Sequence, residues 1–579
     1  MAIQGFVDWR GNPVNKKRHG GVRTSYFIYF MVVMGNIAHM ANVLNLVKYL
    51  HGTMHMGISS SSTTVTNFIG AACGFSLLGA FVSDSFITRF KTILIFGPVA
   101  FLGYALLALQ AHLPSLHPSD CEINGQQKNC EQVHGFNSAL LCIALYTIAL
   151  GEGCVRAALP SLGGDQFDDK DPAESQLKVS FFNWFTFGIS LGGFIGLTLV
   201  VWIENNKGWD IGFGVSSLTI LLGLVAVASG ASFYRIQITK GSPLTRILQV
   251  FVAAFKNRKL VLPENLDQLQ HNSEDMDGIE GLPHTKGFKF LDKASINHGD
   301  TGTWSCTVTQ VEETKIVLQM LPVLISSVLG YISSPLLVTF TVQQGSTMNT
   351  KLGKIHISPA TLFVIPLIFQ MVILVIYDQF IVPFARRITG YVGGVTILQR
   401  VGVGFAASAL ATCVAALVER KRKNLVEEHG LEDFETGVPM SVFWLGVQFF
   451  LTGIVDVTSF VGLLEFFNGE ASRGMKSIGT AIFWCVVGLA SLLGTLLVDM
   501  VNKATRDGDG GRGWLEGTNL NKSHLDRFYW LLTVLELAAL LNYLYWARRY
   551  VYRHDPRVPQ ELTEIDDKVS SQTGEVVAV

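Results

Sequence analysis

Residues 79–91 read GAFVSDSFITRFK: an apolar run closes on Asp84, and within seven residues the chain turns to Arg89 and Lys91. An acid ending one apolar run and bases opening the next make a tight connection between two helices in hydrocarbon. A bilayer core of about 30 Å needs roughly 20 apolar residues per helix, and both flanks of this turn supply them. Outward from it, runs with few or no charges recur at 24–47, 62–83, 92–113, 139–162, 179–203 and 211–233. After a long polar stretch they resume at 316–341, 358–377, 396–418, 439–464, 477–499 and 528–547. The expectation is an all-α membrane protein of twelve transmembrane helices in two sets of six. Composition agrees: 49% of the 579 residues are hydrophobic and 15% charged, against about 25% charged in soluble domains. Mean hydropathy is +0.36. A net charge of −1 gives no field that would gather nucleic acid or anionic lipid; it is the apolar runs that make the lipid bilayer the expected surrounding partner. No cleavable signal is expected, because the polar, basic first 23 residues lead into an apolar run too long for a signal peptide.

The runs divide the chain into an N-terminal tail (1–23), a six-helix bundle (24–233), a linker (234–313), a second bundle (314–551) and a C-terminal tail (552–579). Within the linker, Leu244–Phe255 carries apolar residues at helical spacing, the pattern of a membrane-surface helix. An even number of spans puts both tails on one side. Arg10, Lys16, Lys17, Arg18 and Arg23 precede the first run, and Arg548, Arg549 and Arg553 follow the last, which favours cytoplasmic termini. Two basic loops, Arg420–Lys423 and the one with Lys503, Arg506 and Arg512, pull the other way.

The turn at Asp84 has a counterpart after the eighth run: Tyr377-Asp378, then Arg386-Arg387 and Gly390. Gly79-x4-Asp84-x4-Arg89 and this second pattern, at matching places in the two sets of six, resemble the major facilitator superfamily. That resemblance implies two six-helix halves about a central site, with Gly79, Asp84, Arg89, Asp378 and Arg387 in the cytoplasmic-loop motif.

Finer motifs resemble the plant nitrate/peptide transporter family, a branch of the proton-dependent oligopeptide transporters. They are Gly163-Gly164-Asp165-Gln166-Phe167, Phe181-Phe182-Asn183-x-Phe185, Leu282-Pro283-His284-Thr285, Phe290-Leu291-Asp292-Lys293-Ala294, Leu398-Gln399-Arg400, Leu464-Glu465-Phe466-Phe467 and Asn519-Leu520-Asn521. His19-Gly20-Gly21, Val65-Thr66-Asn67-Phe68 and Asp210–Val215 are most similar to the subgroup linked to abscisic acid and gibberellin. The resemblance implies protons as the coupling ion, yet the Glu-x-x-Glu-Arg that would carry them falls here on Val32, Gly35 and Asn36. All three charges are absent. The nitrate-associated histidine falls on Ser334, a usual proline on Ser472, and Tyr-Asp-Arg reads Tyr377-Asp378-Gln379. The family pairs a span-four lysine with a span-ten glutamate; these positions are Arg156 and Asp456.

Charges in hydrocarbon are costly and face a bundle interior or a wet cavity. Glu152, Arg156, Asp456 and Glu536 are the non-histidine ionisable residues well inside the runs. Glu152 and Arg156 are four apart on one helix face, acid first, the better order for pairing. Arg156 thus has two candidate acids: Glu152 beside it, and Asp456 across the halves. It either holds a fixed ion pair or offers its planar fork to a carboxylate or nitrate. Asn36 and His39 share a face; His39 is either a substrate-facing or titrating group, or a neutral core histidine. Ser334 either lines the cavity or packs between helices, and Glu536 reads as a structural partner. Cys121 and Cys130, in a polar loop between runs, are a candidate disulfide on an oxidising side. Asn521-Lys522-Ser523 is a candidate glycosylation acceptor.

No hydrolase or metal motif appears, so an enzyme is not expected. The function expected is alternating-access transport of a small anionic or weakly acidic solute, such as abscisic acid or gibberellin. Nitrate or dipeptide transport, and a solute sensor with little flux, are the alternatives. The expected location is the plasma membrane, with no cofactor beyond protons and with a regulatory kinase acting on the cytoplasmic loops.

Overall fold

The computed structural model describes residues 2–552 apart from 17, 57, 119–121, 125–126, 130–132, 169–170, 240, 242, 260–283, 286, 297–305, 350, 353–354, 357–362, 392, 433–436, 507–512 and 516–519. Among the described residues, twelve helices are long and apolar enough to span a membrane. The first six are Val22–Gly52, Thr64–Ser85, Arg89–His112, Gly135–Gly164, Pro172–Asn206 and Trp209–Phe233. The second six are Val308–Gly345, Val364–Thr389, Ile397–Glu428, Val442–Glu470, Lys476–Ala504 and Leu525–Arg549. The seventh breaks between Gly330 and Ser333. Pro335 has no N–H for the Tyr331 carbonyl and its ring crowds that oxygen, which interrupts the ladder there. Glu536 fills the break, accepting from the Ser333 hydroxyl, a structural role for that acid.

Five-residue π turns interrupt the fifth, eighth and tenth spans at Gly196–Val200, Tyr377–Ile381 and Asp456–Phe460. Such turns re-aim side chains within a helix, and two of them carry the acids Asp378 and Asp456. Gly79 lies inside the second span rather than in the turn after it: a side chain there would strike the Cys154 backbone. It serves a helix crossing, where only hydrogen leaves room.

The polar N-terminal tail is folded. Ala2–Val7 pairs antiparallel with Pro13–Asn15 and with Ile236–Gln237, which leave the sixth span. Arg235 is 2% exposed; its Nε donates to the His19 carbonyl at 2.9 Å and its Nη1 to Glu174 at 2.7 Å. Gln166 bonds the Arg235 backbone in both directions. The linker helix, Pro243–Lys256, packs Val250, Ala253 and Ala254 against Leu291, Ala294, Cys306 and Val311. Leu248, Phe251 and Phe255 on its other side are exposed.

At the end carrying the tail sheet, polar contacts join the halves. Arg89 bonds Asp84 at 3.0 Å and Asp165 closely within its own half, and its Nε donates to Ser477 of the other half at 2.9 Å. Lys476 lies 3.4 Å from Asp165. Asp84 accepts the Ile478 backbone N–H at 3.1 Å, so one half caps the helix that opens the eleventh span of the other. Deeper, Ser161 meets Thr480 at 2.9 Å and Asn468 at 3.1 Å. A second knot forms where Asp378 accepts from Ser180, Asn183 and Trp184 of the fifth span. Arg400 donates to Asn183 at 2.8 Å. The bundle is closed at this end.

Candidate transport site

Above that closure, a cavity is lined from the first, third, fourth, fifth, sixth and eleventh spans. Its walls are apolar except at one place. Glu152 and Arg156 project there from the fourth span, one turn apart, with Nη2 3.4 Å from Oε2. His39 approaches from the first span with Nδ1 2.8 Å from the same oxygen. Tyr104 of the third span donates its hydroxyl to the other carboxylate oxygen at 2.6 Å. Glu152 thus serves three partners, and its contact with Arg156 is the longest. The Arg156 guanidinium lies 5.0 Å above the ring of Trp484, the cavity residue that comes from the other half. A cation held over a ring keeps its N–H edge free for a planar anion.

Four of the expected substrate or coupling residues, Arg156, Glu152, Asn36 and His39, meet in this cavity. Asn36 gives one amide N–H to the Val32 carbonyl at 2.8 Å, which leaves its side-chain oxygen and second N–H as the groups it can offer. Ser334 and Asp456 do not line it: Ser334 bonds Tyr331, and Asp456 sits near that same tyrosine. The ion pair expected between Arg156 and Asp456 is not formed. Asp456 has no hydrogen bond or ion pair with a described residue, because Arg156 turns toward Glu152 and Trp484 instead.

The loop motifs also differ between the halves. Asp84 and Arg89 pair directly, whereas Asp378, turned by its π segment, faces the fifth span. Arg387 is exposed, and it is Arg386 that crosses the seam, donating to Gln176 at 2.8 Å. The glycosylation reading of Asn521 is overturned. Its side chain is 5% exposed, bonds Arg422 closely, and donates to the Leu431 carbonyl at 3.2 Å. A glycan has no access to that nitrogen. Cys121 and Cys130 lie outside the described residues.

One three-residue cluster has metal-like geometry among the described residues: His284, Asp292 and Glu312. The Lys315 ammonium lies 2.6 Å from Asp292 and 2.7 Å from Glu312, in the cation's place. The cluster seals the linker to the seventh span.

Tyr104 and Trp484 do not stand out in the sequence, since aromatics are abundant in every span. Asp165 and Lys476 belong to the closure rather than the cavity. A motif match at Asp165 is the one signal the sequence carries for either.

The chain and its fold both have known relatives. Residues 90–515 match the pattern of the POT family. Protein NRT1/PTR FAMILY 4.6 of Arabidopsis thaliana is 39% identical over 580 residues, covering 95% of this chain and 97% of the relative. Protein NRT1/PTR FAMILY 4.3 of the same plant is 40% identical over 560 residues, 95% of this chain and 93% of the relative. Among solved structures, an auto-inhibited POT family peptide transporter superposes with a TM-score of 0.59 at 18% identity, covering 92% of this chain and 99% of that one. A POT family transporter in complex with 5-aminolevulinic acid gives 0.57 at 12% identity, over 91% and 99%. At those identities the superpositions establish the fold, a major facilitator arrangement of twelve spans.

Proposed function

The chain belongs to the POT family of membrane transporters, and on that premise we propose that it carries a small anionic or weakly acidic solute by alternating access. It is a multi-pass membrane protein and not an enzyme. One observation carries the reading of substrate class: Arg156 lines the cavity with only a 3.4 Å contact to its nearest acid and a ring beneath it. An anion that reaches it gains a charge-assisted bidentate bond in a poorly solvated space. Met31, Val32, Leu159, Phe185 and Ile189 wall the rest. That lining suits an apolar carboxylate, of the kind abscisic acid or gibberellin presents, better than nitrate or a dipeptide. The closure at the tail-bearing end corresponds to an outward-facing state if the basic tails lie in the cytoplasm, and the plasma membrane is the location we assign.

The test is uptake of labelled abscisate, nitrate and dialanine by cells expressing the chain. We expect saturable abscisate uptake that Arg156→Gln abolishes at equal surface level. Equal uptake by that variant overturns the site, and binding to the purified protein without uptake would mark a sensor instead.

A further inference from the structure

We propose that the outer face of the linker helix is a docking surface for anionic phospholipid. Pro243–Lys256 runs on into a further turn, Asn257–Lys259. Leu248, Phe251 and Phe255 stand three and four residues apart, so they share one side of the helix. They are 63%, 38% and 61% exposed, a row of large apolar side chains turned away from the protein.

The opposite side fixes the depth at which that row lies. Val250, Ala253 and Ala254 pack with Leu291, Ala294 and Val311, the last in the first turn of the seventh span. Ile247 packs against a cluster that includes Ala80, near the end of the second span, and Ile478, in the first turn of the eleventh. Arg246 lies 3.2 Å from one oxygen of Glu313, whose other oxygen accepts from the Ser472 hydroxyl at 2.9 Å. The helix is thus held across the ends of spans from both halves, where hydrocarbon gives way to headgroups. Leucine and phenylalanine at that depth have lipid within reach, and inserting them relieves their contact with water.

Charge selects the kind of lipid. The chain's net charge of −1 hides a local excess: residues 243–259 hold four basic residues and no acid. Lys256, Arg258 and Lys259 are exposed where the apolar row ends, and the Arg258 guanidinium lies 4.3 Å over the Phe255 ring. Lys293 is drawn to the same end, its ammonium donating to the Arg258 carbonyl at 2.7 Å. The nearby acids are buried and paired inward: Asp292 and Glu312 with Lys315, and Glu313 with Arg246. Rings that enter the bilayer, beside long cationic side chains that reach its phosphates, suit an anionic surface. A phosphatidylcholine surface has no net charge, so it would take the rings and give the cations little. Basic tails favour the cytoplasmic side for this end of the bundle, and that leaflet is the anionic one.

Amide exchange of the full chain in proteoliposomes tests this, in phosphatidylcholine alone or mixed with phosphatidylglycerol, with no other protein present. Peptides covering residues 245–259 should exchange more slowly in the anionic mixture, by about fivefold for each basic residue engaged. Rising salt should erase the difference. Arg258→Gln with Lys259→Gln should lose most of it, and Phe251→Ser with Phe255→Ser should speed exchange in both lipids. Peptides from the second and seventh spans should exchange alike in parent and variants. Should a variant disturb those spans, the salt series on the parent decides alone. Equal exchange of the parent in the two lipids overturns the inference. If equal and slow, the face belongs to the chain's own acidic residues at 274–280; if equal and fast, to a protein partner. A phosphatidylglycerol effect that survives undiminished in both double variants also overturns it, because the lipid then acts elsewhere.

Discussion

Arg156 is one guanidinium with two neighbours of different kinds, an acid on its own helix and a ring from the opposite half. Arg156→Lys keeps the charge and loses the fork. We expect it to raise the KM for a carboxylate several-fold, on the order of 1 kcal/mol, the net worth of one hydrogen bond. Arg156→Gln should cost more, because Glu152 then keeps only His39 and Tyr104 to balance a buried charge. Uptake kinetics at matched surface levels decide both. Asn521 makes the opposite point about what a sequence discloses. The tripeptide Asn521-Lys522-Ser523 is a sound acceptor pattern, but burial is a property of the fold. Its amide is committed to Arg422, itself fully buried. Asn521→Ala should lower stability by about 1–3 kcal/mol, since it strands a buried donor. Endoglycosidase treatment should leave the parent's mobility on a gel unchanged; a shift would refute the placement.

The elements were legible where length and hydropathy decide them, and less so where a few polar residues do. Each of the twelve runs in the sequence overlaps one of the twelve helices. The basic run Arg420–Lys423, however, lies within the ninth span, which extends to Glu428. Helical spacing scatters its charges: Arg422 pairs with Glu419 at 2.7 Å, Lys421 lies over Trp444, and Lys423 reaches toward Asp526. The run is therefore part of a helix rather than a loop, and it still counts against the basic tails in setting orientation. The N-terminal tail was harder to see, because its sheet is completed by residues some 230 positions further on. It is also held by Lys16, whose ammonium lies 2.6 Å from Asp171. That hydrogen bond keeps the Asp171 carboxyl below its ordinary range. A depressed carboxyl contributes stability above its unfolded value and loses it as pH falls through the folded one. Protection of the amides of residues 2–15 from exchange, relative to their intrinsic rates, should therefore be high at neutral pH and lower near pH 3; equal protection would mean the pair does not hold the tail.

Across the whole molecule, orientation and closure can be checked together. A tag beside Asn124 should be labelled from outside intact cells, and one within residues 265–280 should not; external labelling of the latter would invert the orientation with cytoplasmic tails. Arg89→Gln leaves Asp84 and Asp165 without their shared cation, a loss of about 3–5 kcal/mol for a buried pair. In that background a cysteine at Ser477 should react faster with an impermeant maleimide applied from the cytoplasmic side, and an unchanged rate would argue that the seam does not close the path. The overall architecture was readable from two short turns and a count of runs. The cavity was not, because its polar corner joins residues 39, 104, 152 and 156 with a tryptophan more than 300 positions away.

The carboxylate of Asp84 sits on the first turn of a helix that belongs to the other half, while its second oxygen grips Arg89. Asp165 is divided in the same way between Arg89 and Lys476. No member of this fastening can let go alone, since each release strands a partner in a dry place and raises the cost of standing halfway. The movement should consequently be a snap rather than a swing. Followed one molecule at a time, the distance between the two halves should show long dwells on two plateaus, with abrupt steps and no slope between them.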